Sequence, residues 1–154
     1  MLFRSWHILL QVELPMLTSM RGVLENSPIP VVIDGFGHPA TGKGIDQPGF
    51  SDFVDLVRGG SVYAKISAPY RFSEIGPDYP DAAPFAKALI AANPDRVIWG
   101  SDWPHPAGST GPRRPISEVT PYFQIDDGRI LNQLPFWEPD PDRKSTRLNS
   151  SHGY

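Results

Sequence analysis

The stretch Val97-Ile98-Trp99-Gly100-Ser101-Asp102-Trp103-Pro104-His105-Pro106 is the most informative part of this chain. Three apolar residues precede Gly100-Ser101-Asp102, and two prolines, Pro104 and Pro106, follow shortly after. This pattern is typical of a short buried strand that ends in a carboxylate and a rigid loop. In a barrel of parallel strands, the catalytic side chains lie at such carboxyl ends. The same spacing also suits an aspartate that only caps the following turn, with Trp103 and His105 packed around it.

Length, charge and composition exclude several classes of protein. The chain has 154 residues, 40% of them hydrophobic, and a net charge of -3, whereas a complete (β/α)₈ barrel needs about 250 residues. The charge gives no bias toward nucleic acid or acidic membranes, and no apolar run approaches the roughly 20 residues of a membrane span. Because there is no cysteine, thiolate metal sites and disulfides are excluded. We expect a soluble, cytoplasmic protein that binds neither nucleic acid nor a membrane.

The two ends differ in character from the rest of the chain. Lys144-Ser-Thr-Arg-Leu-Asn-Ser-Ser-His152 resembles one reading frame of a widely used sequencing adapter, and Met1-Leu-Phe-Arg-Ser5 resembles its opposite arm. Segments of this kind are left out of fold reasoning. We therefore treat residues 1–5 and 144–154 as adapter-derived tails, place the natural part at 6–143, and expect it to be a piece of a longer protein.

Within the natural part, apolar periodicity predicts an alternation of strands and helices. The strands are predicted at 6–12, 28–34, 61–67 and 96–100, the first of them buried with His7 partly buried in it. The helices are predicted at 14–24, 50–57, 82–92, 116–123 and 125–134, the last with a turn at residues 127–128. Repeated strand–helix alternation indicates parallel strands joined by crossovers, and hence an α/β fold.

Each predicted strand ends in polar residues beside a loop rich in glycine or proline. These polar residues are Gln11, Glu13, Asp34, His38, Lys65, Ser67, Tyr70, Arg71, Asp102 and His105. Four strand ends on one rim would form a concave site with a carboxylate, an imidazole and two cations. Such a set suits attack of water on a carbonyl, with Asp102 as general base and the cations holding an anionic substrate. We expect the Asp102 carboxylate and the Arg71 guanidinium on the same side of the sheet.

Four motifs in a fixed order carry a family resemblance. They are Val31-Val-Ile-Asp-x-x-Gly-x-Pro39, Gln47-Pro-Gly-Phe50, Val62-Tyr-Ala-Lys-Ile-Ser-Ala-Pro-Tyr-Arg71 and Pro94-Asp-Arg-Val-Ile-Trp-Gly-Ser-Asp-Trp-Pro-His-Pro106. With them the chain resembles the amidohydrolase-2 family of TIM-barrel hydrolases, and within it the 2-pyrone-4,6-dicarboxylate lactonase-like branch. The resemblance implies that the four strands are the last four of eight. It also implies that the first half of the barrel, with its His-x-His pair, and a final helix after Trp137 are absent.

The resemblance also implies roles for the site residues. Asp102 matches the carboxylate that activates water or binds a metal, and Arg71 matches an arginine that grips a substrate carboxylate, for which the paired guanidinium donors are suited. Lys65 and Ser67 belong to the same motif as substrate-binding candidates, although Lys65 also fits a structural ion pair. His105 is a candidate for substrate contact, with packing of its own loop as the alternative.

The second strand departs from the family pattern. The family usually reads Asp-His-x-Gly-Arg-Pro there, and its His polarises the scissile carbonyl or ligates a metal. In this chain Gly35 stands in place of that His, and His38 in place of the Arg. Either His38 supplies the imidazole from three residues along, or the mechanism differs, or the residue was misread. We keep His38 as a substrate-binding candidate, which could hold an anion only when protonated.

These observations lead to one main expectation and two alternatives. The full-length parent is expected to be a lactonase-like hydrolase that opens a lactone or related carboxylate-bearing small molecule, while the chain alone is expected to be inactive. No metal is expected on the chain itself, because the His-x-His pair is missing and residue 35 is glycine. The wider family usually binds a divalent ion such as zinc, which Asp102 would ligate in a metal-dependent parent. The alternatives are a metal-dependent decarboxylase of the same superfamily and a non-catalytic, truncated domain.

Overall fold

The computed structural model describes residues 6–106, 119 and 121–138. Its sheet consists of β1 (Ile8–Leu10), β2 (Val31–Ile33), β3 (Tyr63–Ser67) and β4 (Val97–Gly100). The strands lie side by side in chain order, and every neighbouring pair is parallel. The helices are α1 (Leu14–Glu25), α2 (Phe50–Arg58), α3 (Ala83–Ala92), α4 (Asp127–Leu131) and α5 (Leu134–Trp137). The predicted α/β class is confirmed, as strands and helices alternate along the chain as they do in half of a (β/α)₈ barrel.

One hydrophobic core lies between the helices and one face of the sheet. Side chains alternate between the two faces of a strand. On β3, Ala64 and Ile66 therefore belong to the core with residues of the helices such as Leu17, Phe53 and Leu89, all of which are buried. The intervening residues of β3 point to the other face, which is how Lys65 is directed away from the core.

The beginnings and ends of the helices follow local signals. Pro15 lies in the first turn of α1, where its missing N–H costs no hydrogen bond. Gly49 precedes α2 with a φ of 86°, and Gly60 follows its end with a φ of 77°. Glycine adopts positive φ at no steric cost, so these two positions let the chain turn sharply into and out of α2.

The prediction for the first strand is wrong in its length and its burial. The strand covers only Ile8–Leu10, and Trp6 and Leu9 are 68% and 50% exposed. β1 lies at one edge of the four-stranded sheet, so its apolar side chains have a neighbouring strand on one side only. His7 precedes the strand and is exposed, not partly buried as predicted.

The predictions beyond the fourth strand are corrected in part. The helix predicted at 116–123 falls largely on residues that the structure does not describe, and residues 121–126 contain no helix. The single helix predicted at 125–134 is instead two short ones, α4 and α5. The turn predicted at 127–128 is the first turn of α4, because the Asp126 carboxylate accepts a hydrogen bond from the Arg129 N–H and caps the helix. None of the helices in the described ranges has the length and hydropathy of a transmembrane span.

Candidate active site

The carboxyl ends of β2, β3 and β4 share an unusual backbone property. Among the described residues, five of the six non-glycine residues with positive φ follow these three strands. They are Phe36, His38, Ala68, Asp102 and His105. Such conformations cost about 1–3 kcal/mol each and persist where the surroundings impose them, which is common at functional sites. The strain therefore marks this rim as the candidate active site.

Asp102 is held by the turn that follows β3. The Tyr70 hydroxyl donates to its Oδ2 at 2.5 Å, and the Arg71 Nε and Nη2 lie 2.8 Å from the same oxygen. Arg71 Nη2 also donates to the carbonyl of Pro106 at 2.9 Å, which ties the guanidinium to the loop after β4. The expectation that the Asp102 carboxylate and the Arg71 guanidinium lie on the same side of the sheet is confirmed.

These contacts leave the two oxygens of Asp102 in different states. Oδ2 faces three donor atoms, whereas no described residue donates a hydrogen bond to Oδ1. A carboxylate oxygen has lone pairs for further donors, so Oδ1 is the atom of Asp102 that can take a proton from water. Burial, reinforced by the hydrogen bond to Asp102, raises the pKa of Tyr70, and its hydroxyl therefore stays protonated as a donor.

A second carboxylate, Asp34 at the end of β2, is held in a similar way. Its Oδ1 accepts from Gly35 N at 2.9 Å and from Ser67 Oγ at 2.9 Å, and Lys65 Nζ lies 3.2 Å away. Lys65 therefore makes the ion pair that its position at a strand end suggested. Gly100 on β4 makes room for it, because a Cβ there would lie 2.6 Å from Lys65 Cε.

His38 occupies the space of a side chain at position 35. Four consecutive residues, Gly35 to His38, have φ between 49° and 72°, and the His38 N–H donates to the Gly35 carbonyl at 2.9 Å. This is a left-handed turn of the 3₁₀ type, in which residues i and i+3 are eclipsed. A Cβ built on Gly35 would accordingly lie 3.1 Å from His38 Nε2 and 3.2 Å from its Cε1.

The His38 imidazole has an unused nitrogen. Nε2 is buried and has no hydrogen-bond partner among the described residues. Burial lowers the pKa of His38. The negative charge of Asp34 opposes this lowering, and the positive charge of Arg71 adds to it. The ring is therefore neutral at neutral pH, and it lies where the charges of the Asp34 and Asp102 clusters both reach it.

The lowered pKa of His38 predicts a change of stability with pH. An unfolded histidine takes up a proton near its ordinary pKa of about 6.5, whereas the folded chain resists this uptake. Below about pH 6.5 the unfolded state binds more protons, so the free energy of unfolding falls as the pH falls. We expect this fall to be smaller in His38→Asn than in the unmutated chain, in urea unfolding at pH 7.5 and 5.5. The exposed His7 supplies the control: if His7→Asn reduces the fall as much as His38→Asn does, the effect does not come from burial.

His105 lies behind Tyr70. It is 5% exposed, and its ring packs edge-to-face on Tyr70 with centroids 5.7 Å apart. Its Nδ1 is 3.5 Å from the Tyr70 hydroxyl oxygen, and both carboxylate oxygens of Asp127 lie 3.2 Å from its Nε2. Both nitrogens thus face protein groups, in agreement with the packing alternative for this residue.

The structure brings most of the predicted residues together on one rim, in two clusters with His38 near both. One cluster contains Asp34, Lys65 and Ser67, and the other contains Tyr70, Arg71, Asp102 and His105. Sequence reasoning gave Tyr70 no role and assigned Asp127 to a turn. Tyr70 could have been found from its place in the Pro-Tyr-Arg motif. No local pattern distinguishes Asp127, which is 22 residues from His105.

The residues that the structure describes do not by themselves form a site for a divalent metal ion. Within the described ranges, no group of three or more His, Asp or Glu side chains is close enough to hold one. Moreover, the Arg71 guanidinium lies 2.8 Å from Asp102 Oδ2, and a cation there opposes a second positive charge on the same oxygen.

Comparison with known proteins finds five similar curated sequences, among them the following two. The chain is 34% identical over 140 residues to 4-sulfomuconolactone hydrolase of Hydrogenophaga intermedia, covering 91% of this chain and 43% of that protein. It is 36% identical over 153 residues to the 2-pyrone-4,6-dicarboxylate hydrolase of Comamonas testosteroni, covering 94% of this chain and 46% of that protein. The chain thus spans about half the length of these relatives.

A solved structure and a family profile agree with these two sequence matches. The crystal structure of a putative 2-pyrone-4,6-dicarboxylic acid hydrolase from Pseudomonas putida superposes with a TM-score of 0.66 at 28% identity, covering 94% of this chain and 49% of that one. The profile of the family described as Amidohydrolase matches residues 4–122. This match includes all four strands and both carboxylate clusters. The chain therefore belongs to the amidohydrolase family.

Proposed function

We propose that the whole enzyme containing this chain opens an anionic lactone by adding water to the lactone carbonyl. The observation that carries the proposal is the state of Asp102, whose Oδ2 is held by Tyr70 and Arg71 while Oδ1 has no donor among the described residues. A carboxylate fixed in this way can accept a proton from an attacking water. The water oxygen bonds to the carbonyl carbon and the ring C–O bond breaks. The proton taken up by Asp102 passes to the leaving ring oxygen, which becomes an enol or alcohol, and the new carboxylic acid releases its proton to solvent as a carboxylate.

We assign the binding of the substrate's anionic group to the cations of the rim. Lys65 and Arg71 have side chains only 13% and 17% exposed, so their charges are weakly screened. Arg71 donates from Nε and Nη2 within the protein, and no described residue accepts from its Nη1. This leaves Nη1 for a substrate carboxylate. Ser67, which donates to Asp34, is assigned to the support of this region.

We assign His38 to the carbonyl oxygen. Its neutral ring has a buried nitrogen without a partner among the described residues, and it lies over Gly35, the position at which the family resemblance implies an imidazole. A hydrogen-bond donor aimed at the carbonyl oxygen stabilises the negative charge that forms when water attacks. The left-handed turn would then deliver the imidazole of residue 38 to the place of residue 35.

The names of the similar proteins support the choice of substrate. One is named for a sulfomuconolactone and the other for a pyrone dicarboxylate, and each of these compounds combines a lactone ring with an anionic group. Lys65 and Arg71 supply the positive charge that such a compound needs. The substrate class is therefore a small lactone with one or two anionic groups.

A chimera tests the proposal. Residues 6–138 would replace the matching segment of the Comamonas testosteroni hydrolase, which supplies the half that this chain does not span. We expect this chimera to consume 2-pyrone-4,6-dicarboxylate, measured as the loss of pyrone absorbance. Circular dichroism and gel filtration establish that it is folded. A folded chimera that binds the dicarboxylate without opening the ring would contradict the proposal.

A further inference from the structure

We propose that Gln47 is a positioning residue for the His38 imidazole, because its side-chain amide binds the backbone of Ala40, two residues after His38. Gln47 opens the motif Gln47-Pro-Gly-Phe50, none of whose residues lies in either carboxylate cluster. The inference rests on the proposed function in one respect, the assignment of His38 to the carbonyl oxygen. The placement of the ring by Gln47 does not depend on that assignment.

The Gln47 side chain makes three hydrogen bonds to the loop between β2 and α2. Its Oε1 accepts from the Ala40 N–H at 2.9 Å, and its Nε2 donates to the carbonyls of Ala40 at 3.1 Å and Gly44 at 2.7 Å. Both amide protons and the amide oxygen are thus used within the loop. Gln47 is only 9% exposed, although residues 42–46 before it are exposed. A buried amide with all its hydrogen bonds made holds its partners rigidly.

The Gln47 backbone is fixed to the hydrophobic core through α2. Its carbonyl accepts from the N–H of Phe50, the first residue of α2, at 3.2 Å. Phe50 is 2% exposed and packs edge-to-face on Phe85, with ring centroids 5.0 Å apart. A supporting side chain is more precise when packing locks the element that carries it. The Gln47 amide therefore transmits the rigidity of the core to Ala40.

Little conformational freedom separates Ala40 from the imidazole. Only Pro39 lies between Ala40 and His38; it is buried, and its ring fixes φ, one of its two backbone dihedral angles. On the other side, the His38 N–H donates to the Gly35 carbonyl at 2.9 Å. His38 has a φ of 49°, a conformation that persists only where the surroundings impose it. The contacts at Gly35 and Ala40 impose it from the two sides, and Gln47 supplies the second.

The first test uses the 154-residue chain, without substrate. Gln47→Met keeps about the length of the side chain and removes all three hydrogen bonds. We expect hydrogen exchange of the Ala40 amide to become about tenfold faster or more, because its hydrogen bond is lost. We also expect the NMR titration of the His38 ring, whose pKa burial lowers, to move up toward the ordinary value of about 6.5 as the ring leaves its buried position. The ring of the exposed His7 is the internal reference and should titrate as before.

Two further variants complete this test. Gln133, between α4 and α5, donates to Asp78 and to the Arg129 carbonyl, and the matched control Gln133→Met should leave both signals unchanged. Gln47→Asn keeps an amide but is one methylene shorter, and it replaces the methionine variant if that variant does not fold. It should change both signals in the same direction. Faster exchange of Ala40 with an unchanged His38 titration overturns the proposal, because the loop then opens without moving the ring.

A double-mutant cycle in the chimera separates positioning from a general loss of stability. Gln47→Met should lower kcat by about 10-fold to 10²-fold, the effect of misplacing a donor to the carbonyl oxygen. KM should change little, because Arg71 and Lys65 still bind the anionic group. In a His38→Asn background the same change should have no further effect, since no imidazole is left to place. An equal loss in both backgrounds overturns the proposal. Inactivity of the chimera with Gln47 intact counts against the proposed function alone, and the test on the chain then decides the placement of His38.

Discussion

Replacing Asp102 by asparagine is expected to lower the kcat of the chimeric enzyme by about 10²–10⁴-fold, the usual contribution of a general base. The amide oxygen of asparagine still accepts hydrogen bonds from Tyr70 and Arg71, so the side chain can keep its place. It cannot take a proton from water at neutral pH. We therefore expect the loss in kcat with little change in KM, measured in steady-state assays with 2-pyrone-4,6-dicarboxylate.

The control for this prediction is a carboxylate outside the site. Asp55 lies on α2, is 47% exposed and pairs with Arg58 on the surface. Asp55→Asn removes the same charge from the chimera and should leave kcat unchanged. If Asp102→Asn retains a near-normal kcat while the chimera remains folded, Asp102 is not the base. The role would then pass to Asp34, whose Oδ2 also has no donor among the described residues.

The parts of this site that sequence reasoning predicted depend on local patterns. Strands β2, β3 and β4 and helices α1, α2 and α3 lie close to their predicted positions, because apolar periodicity reports burial directly. Parallel strands place their carboxyl ends on one rim. This is why Asp102 and Arg71 could be expected together although they are 31 residues apart.

The parts that it missed depend on contacts between distant segments. The left-handed turn at 35–38 requires a φ of 58° at Phe36. Steric clashes disfavour positive φ for a bulky residue, so the local sequence does not predict this turn. Phe36 is fully buried against Phe72 and Trp137, with ring centroids 5.1 and 5.8 Å away, and this packing offsets the strain. Trp137 lies about a hundred residues further along the chain, so the turn could not be read from its own sequence. The pairing of Asp127 with His105 could not be predicted for the same reason, because it too joins segments that are distant in the sequence.

The substitution with the largest expected effect on stability is at Gly49, a glycine that lies outside the candidate active site. A Cβ at Gly49 would lie 2.2 Å from the carbonyl oxygen of Leu14 and 2.4 Å from its carbon. These are backbone atoms at the start of α1, and they cannot move without displacing the helix. The φ of 86° at Gly49 adds the cost of a left-handed conformation, about 1–2 kcal/mol for any residue with a Cβ. Overpacking adds about 1–3 kcal/mol.

We therefore expect Gly49→Ala to destabilise the chain by about 3 kcal/mol or more, seen as a fall of about 1 M or more in the urea midpoint. Gly60→Ala is the matched control, since its φ is 77° but a Cβ there would meet only the Arg96 side chain at an ordinary 3.5 Å. Gly60→Ala should be destabilised only by the cost of the left-handed conformation, about 1–2 kcal/mol. The difference between the two variants measures the close approach of α1 to the start of α2. Equal losses would mean that this approach is looser than 2.2 Å implies, and that backbone conformation alone makes glycine necessary at position 49.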